Sequence, residues 1–151
     1  MRKLLLPIFI CLVSIQFINA KPRFRSHAPA KVPQKTARLT GTYRNRWSEF
    51  KIQALGVNRL HVQFNGSYQY KVNGEMTANT GTADGTATVK YNVATFTPTN
   101  TQGCSITLTF AGQKLIAKQT GSDADCGFGH NVMADGTYLK RSSRPPKFDN
   151  Q

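Results

Sequence analysis

The stretch "CSITLTF" (104–110) decides the fold. Cys104, Ile106, Leu108 and Phe110 fall on one side of an extended chain, and Ser105, Thr107 and Thr109 on the other. Alternation with a period of two is the signature of a strand with one buried face. The same pattern recurs on both sides of it. "FKIQA" (50–54) groups Phe50, Ile52 and Ala54. "RLHVQFN" (59–65) sets Leu60, Val62 and Phe64 against His61 and Gln63, which places His61 on a solvated outer face. "SYQYKV" (67–72) groups Tyr68, Tyr70 and Val72, and "TVKYNVATF" (88–96) is β-branched or aromatic through its length. No part of 39–140 carries a helical stripe.

Turn chemistry separates these runs. Asn65-Gly66, Asn73-Gly74 and Asp84-Gly85 are strong hairpin signals, because a type I′ turn needs positive φ at both central residues. Ala111-Gly112 and Thr120-Gly121 are weaker breaks. The count is about eight or nine strands, most joined by tight turns. The fold class expected is therefore all-β: a single small antiparallel up-and-down barrel of about eight strands, lipocalin-like, with a two-layer sandwich as the alternative. Strands delimited in this way are shorter than the roughly 9–11 residues that a transmembrane barrel needs. "LTGTYRNR" (39–46) and "ADGTYLKR" (134–141) echo each other. Pairing them as first and last strands would remove both sheet edges.

The N-terminus reads as an export signal over 1–20. Arg2 and Lys3 precede the apolar "LLLPIFICLVSIQFI", and Ala20 is the expected cleavage point. The apolar run, about 15 residues, is short of the roughly 20 of a spanning helix. The expected location is secreted or periplasmic. Two cysteines remain after cleavage, Cys104 and Cys126, and an even pair in an exported chain predicts a disulfide.

Charge is uneven along the chain. The net +13 includes +6 from Lys21, Arg23, Arg25, Lys31, Lys35 and Arg38 in the acid-free stretch 21–38. Residues 140–151 contribute +3, from Lys140, Arg141, Arg144 and Lys147 against Asp149. The middle, 39–139, contributes only +2. Both ends are Pro-rich, so the organisation expected is a disordered basic segment over 21–38, a barrel over 39–141 and a basic flexible tail over 142–151. Within the barrel, Arg44 with Arg46 and Lys114 with Lys118 share parity and could form basic stripes.

"DCGFGHNVMADGTY" (125–138) looks at first like a site. A Cys104–Cys126 bond would instead tie the decisive strand to the loop before the last one. Gly127 and Gly129 would allow a tight turn there, and Phe128 would plug one end of the barrel. Asp123, Asp125, Cys126 and His130 match no familiar zinc spacing, and the disulfide would consume the thiol. No nucleophile motif, phosphate loop or spaced carboxylate pair appears. No catalytic residue, metal or cofactor is expected.

The segment "CSITLTF…KLIAKQ…CGFGHNVMADGTYLK" resembles small bacterial exported β-rich proteins that end in a CGFG-x-NV…G-x-Y motif. There is a looser architectural likeness to periplasmic lysozyme inhibitors, small disulfide-tied β-barrels. The resemblance implies a secreted β-rich domain. The functional expectation is a non-catalytic binding protein whose ten tail bases, named above, draw it to an anionic glycan, a lipid head group or an acidic protein. The alternative is an inhibitor or immunity-type protein that blocks an enzyme with a rim loop, either "GSDADCGFGHN" (121–131) or "NTGTADG" (79–85). Nucleic acid is disfavoured, because the strand aromatics share faces with aliphatics rather than with bases. A small-ligand carrier is also possible, although the aromatic supply favours a filled interior.

Overall fold

The computed structural model describes residues 34–149. The expected signal segment 1–20, most of the basic stretch after it and the last two residues lie outside the described residues. The chain forms one helical turn, α1 (Gln34–Ala37), and eight strands: β1 (Gly41–Arg44), β2 (Ser48–Gly56), β3 (Arg59–Val72), β4 (Glu75–Lys90), β5 (Val93–Phe96), β6 (Ser105–Ala111), β7 (Lys114–Thr120) and β8 (Gly136–Ser142). Consecutive strands pair antiparallel all the way round, and β8 pairs with β1 to close a barrel. The alternation did specify the inside. Phe50, Ile52, Leu60, Val62, Phe64, Ile106, Leu108, Leu115 and Tyr138 have no exposed surface, and the interior is filled with side chains.

The echo "LTGTY"/"ADGTY" has a common structure. The Tyr43 hydroxyl donates to the carbonyl of Leu39, 3.0 Å away and four residues back. The Tyr138 hydroxyl donates to the carbonyl of Ala134, at 2.9 Å and the same spacing. Each tyrosine is a corner post that ties its strand to the segment entering it. Burial pushes both phenols up to about 12. The antiparallel neighbours β1 and β8 set the two corners at opposite ends of the barrel. The turns after β1, β3, β5 and β7 form the upper end. Those after β2, β4 and β6, together with α1, form the lower end.

Two of the three strongest hairpin signals are not turns. Asn73-Gly74 is one, with φ of 51° and 89°. Asn65-Gly66 and Asp84-Gly85 lie inside β3 and β4, paired with Thr82-Gly81 and with Gln63-Val62 respectively. Neither glycine has a positive φ. They are there for space. A Cβ on Gly66 would meet the Phe64 ring at 2.5 Å, and one on Gly85 would meet the Phe96 ring at 2.9 Å. Gly81 clears Phe128 in the same way, at 2.8 Å. "RLHVQFN" and "SYQYKV" are consequently one 14-residue strand, and "NTGTADG" is strand, not a rim loop. Conversely, "TVKYNVATF" is broken by a turn at Tyr91-Asn92, so Lys90 ends β4 and Val93 begins β5.

The expectation of short strands throughout is corrected too. β3 and β4 run 14 and 16 residues, while β1 and β5 have four each. β2 reaches only as far as Gly66 on β3. Residues 67–72 and 75–80 therefore project above the barrel as a two-stranded ribbon. No helix among the described residues is long and apolar enough to cross a membrane.

Both domain boundaries shift outward. Residues 34–38, expected to be disordered, sit on the lower end, where Thr36 is buried, Leu39 packs against the core and the Arg38 carbonyl accepts the Lys140 ammonium at 2.6 Å. The C-terminal segment 143–149, expected to be a flexible tail, is docked on the barrel wall. Phe148 lies on the His61 ring at 4.0 Å. Gln63 on β3 uses its side-chain amide as a strand would use its backbone, accepting from Asp149 N at 3.0 Å and donating to Asp149 O at 2.9 Å. Lys51 and Asn65 hold the Asp149 carboxylate. His61 is on the outer face as expected but is covered rather than solvated, and its Nε2 lies 2.9 Å from Asp84.

Candidate anion-binding end of the barrel

The disulfide expected from the sequence is present, and Cys104 and Cys126 are both buried. It anchors the upper loop, 121–135, which closes the barrel top. Phe128 packs on Phe64 at 5.2 Å, Phe64 on Phe50 at 4.9 Å and Phe50 on Tyr138 at 4.9 Å, an aromatic column from the plug into the core. Asp123 accepts from the Asn131 and Ala124 amides, and these backbone hydrogen bonds, led by Asn131, hold its carboxyl below the ordinary range. Asp125 is lowered by the Ser122 amide and hydroxyl. The loop also grips the ribbon, through Gly129 N to Thr80 O at 2.9 Å and Asn79 Nδ2 to His130 O at 2.7 Å. The motif that looked like a site is a lid whose three carboxylates, Asp123, Asp125 and Asp135, are committed to hydrogen bonds. Among the described residues, no three His, Cys, Asp or Glu side chains gather to hold a metal ion.

The lower end differs in charge. The chain has seven acidic residues, and none lies there. Asp123, Asp125 and Asp135 are in the upper loop, and Glu75 is at the tip of the ribbon. Glu49 on β2 pairs with Arg44, Asp84 with His61, and Asp149 with Lys51. Around the lower rim, by contrast, the topology places Arg38 after α1, Arg59 at the start of β3, Lys90 at the end of β4, Lys114 at the start of β7, and Lys140 and Arg141 at the end of β8. Among the described residues, none of the six pairs with a carboxylate.

Of the ten bases expected to bind a partner, Arg38, Lys140 and Arg141 meet at this rim. Arg144 and Lys147 lie on the docked C-terminal segment. Lys35 is in α1, and Lys21, Arg23, Arg25 and Lys31 fall outside the described residues. Lys140 is partly spent as a tether, donating to Arg38 O and lying 5.4 Å from the Tyr43 ring, and burial lowers its pKa. The sequence reading missed Arg59 and Lys90, which were averaged into a nearly neutral middle. Both flank turns that an up-and-down order puts at one end, but the turn after Lys90, Tyr91-Asn92, carries no glycine to mark it in the sequence. The expected stripes dissolve. Lys118 is 3.3 Å from Asp135, Arg44 is held by Glu49, and Arg46 stacks over Trp47 at 4.5 Å.

A cleft of about 550 Å³ opens between α1 and the lower turns. Its lining combines Leu39, Val89, Tyr91 and Phe110 with Arg38 and Lys90. A second hollow of about 410 Å³ adjoins it across Arg38 and Gly112, with Lys140 in its wall.

No family model, curated protein or solved structure matches this chain. The CGFG-x-NV likeness therefore rests on the motif alone.

Proposed function

We propose that the protein is an exported, non-catalytic binding protein that engages an anionic partner of the cell envelope with the lower end of its barrel. The observation that carries this reading is the six-base rim without a carboxylate. Like charges gathered at one end raise the local potential, attract anions and speed their encounter. Four further bases, Lys21, Arg23, Arg25 and Lys31, precede α1 in the sequence. Phosphate-bearing lipid heads and acidic glycans both fit this chemistry.

The test is binding to phosphatidylglycerol vesicles and to phosphatidylcholine vesicles across a salt series. Binding to the anionic vesicles alone, weakened by salt and by Arg59→Glu with Lys114→Glu, supports the reading. Equal binding to both vesicles, or indifference to the two reversals, overturns it.

A second reading, enzyme inhibition, finds its support in the ribbon. Tyr68 and Tyr70 stack at 6.0 Å on a surface with exposed Val72 and, on the other face, exposed Met76. If the ribbon engages an enzyme, Tyr68→Ser with Met76→Ser abolishes capture of that enzyme while binding to anionic vesicles is unchanged.

A further inference from the structure

We infer that the lower cleft is a binding site for an amphipathic anion, an acyl or similarly apolar body that carries one phosphate or carboxylate head. The inference rests on the anionic-partner reading and narrows it from a charged surface to a bounded site. The cleft's volume, about 550 Å³, lies within the range of small-ligand sites, roughly 300–1,000 Å³. Its floor is the underside of the core. Phe110 and Val89 are each 5% exposed, and Leu39 adds an apolar flank where the Tyr43 corner pins the chain. Two cations, Arg38 and Lys90, stand at the same cleft without a carboxylate. An apolar floor under unpaired cations complements a ligand with a greasy body and an anionic head. A simple inorganic anion would leave the floor unused, and a neutral lipid would leave the cations unused.

Tyr91 supplies an independent observation. It occupies the tight turn between β4 and β5 with φ of 60°, where Gly or Asn is the ordinary choice. A bulky side chain in the left-handed region is strained. Burial does not offset the strain, since the residue is 76% exposed. What the arrangement achieves is an aromatic ring on the wall of the cleft beside Lys90. Strain retained without a packing return is characteristic of a residue placed for binding.

The experiment uses the chain as recovered after export and titrates it calorimetrically with dodecyl phosphate below its micelle concentration. Inorganic phosphate and a neutral dodecyl glycoside serve as comparison probes. Dodecyl phosphate is expected to bind at least about 10-fold more tightly than either, the factor set by one lost contact of ordinary strength. Arg38→Gln and Lys90→Gln each weaken it by about 10-fold, and Arg46→Gln at the upper end leaves it unchanged. Tyr91→Gly is the decisive variant. It relieves the turn, so the thermal midpoint holds or rises, while dodecyl phosphate affinity falls. Phosphatidylglycerol vesicles separate the sources of the head group. Vesicle binding that depends on Tyr91 and Arg38 points to a membrane lipid, and dependence confined to the soluble amphiphile points to a free one. Equal affinity for dodecyl phosphate and inorganic phosphate, with Tyr91→Gly silent, overturns the cleft and leaves the anionic reading standing. Failure of every anionic probe, vesicles included, overturns both.

Discussion

The two ends of this barrel solve opposite problems. The upper end is a lid: a disulfide, a phenylalanine plug and three carboxylates hold one loop in place. The lower end is a mouth, closed by nothing heavier than a helical turn and rimmed by cations with no acid among them. Polar groups at the upper end are spent on holding the loop, and charge without a carboxylate partner gathers at the lower end. A side chain with an internal partner contributes to the fold, and one without is available to something else.

The comparison breaks first at the lid. Phe128→Ala is expected to destabilise by roughly 3–4 kcal/mol, because the plug leaves a cavity above Phe64 that its neighbours refill only partly. The check is the urea midpoint, and a loss below 1 kcal/mol would mean that the plug is not part of the core. Replacing both Cys104 and Cys126 with Ser is expected to cost about 3 kcal/mol in the chain-entropy model, read in the same way under non-reducing conditions.

Acid sharpens the comparison. Asp123, Asp125 and Asp149 all have folded-state pKa values below the ordinary 3.8. For Asp149 the first cause is the Lys51 hydrogen bond. A depressed carboxylate contributes stability that is complete above the ordinary value and is lost as pH falls through the lower folded one. Amide exchange followed from pH 6 downward should therefore show the upper loop and the docked segment 143–149 loosening below about pH 4. The lower rim has no carboxylate to protonate and should keep its protection to lower pH. The smallest expected effect is at the mouth itself. Arg59→Glu should change stability by less than about 0.5 kcal/mol while anion binding drops, which a denaturation curve and a vesicle assay measure side by side.

The barrel was legible in the sequence because alternation is local. Each strand announces its own inward face, and "LTGTY" and "ADGTY" announced the closing pair. The cysteines were legible because only two survive the expected cleavage. What was not legible depended on partners distant in the chain. Gly66 and Gly85 carry the same dipeptide grammar as a true turn at Gly74, and only the positions of Phe64 and Phe96 reveal that they make room instead. The covering of His61 depends on Phe148, near the other end of the chain. The cationic rim was hidden for a related reason. A net +2 over the middle of the chain says nothing about which end of a barrel each base occupies, and that emerges only when strand order is combined with the alternation of turns. Tyr91 was read as one more strand aromatic, since a turn without glycine leaves no obvious mark.

The β1–β8 pairing has a consequence for how the chain assembles. Every other ladder joins strands that follow one another, so each can zip as a hairpin once its second strand exists. The pairing of Thr42 with Ser142 has to wait for about 100 residues, a delay that costs little loop entropy because that cost grows only logarithmically with length. Until then β1 is an unpaired edge, the kind that recruits neighbouring chains. At four residues it offers as short a template as any strand of the barrel, which limits the surface available for mispairing while synthesis or refolding runs to the far end.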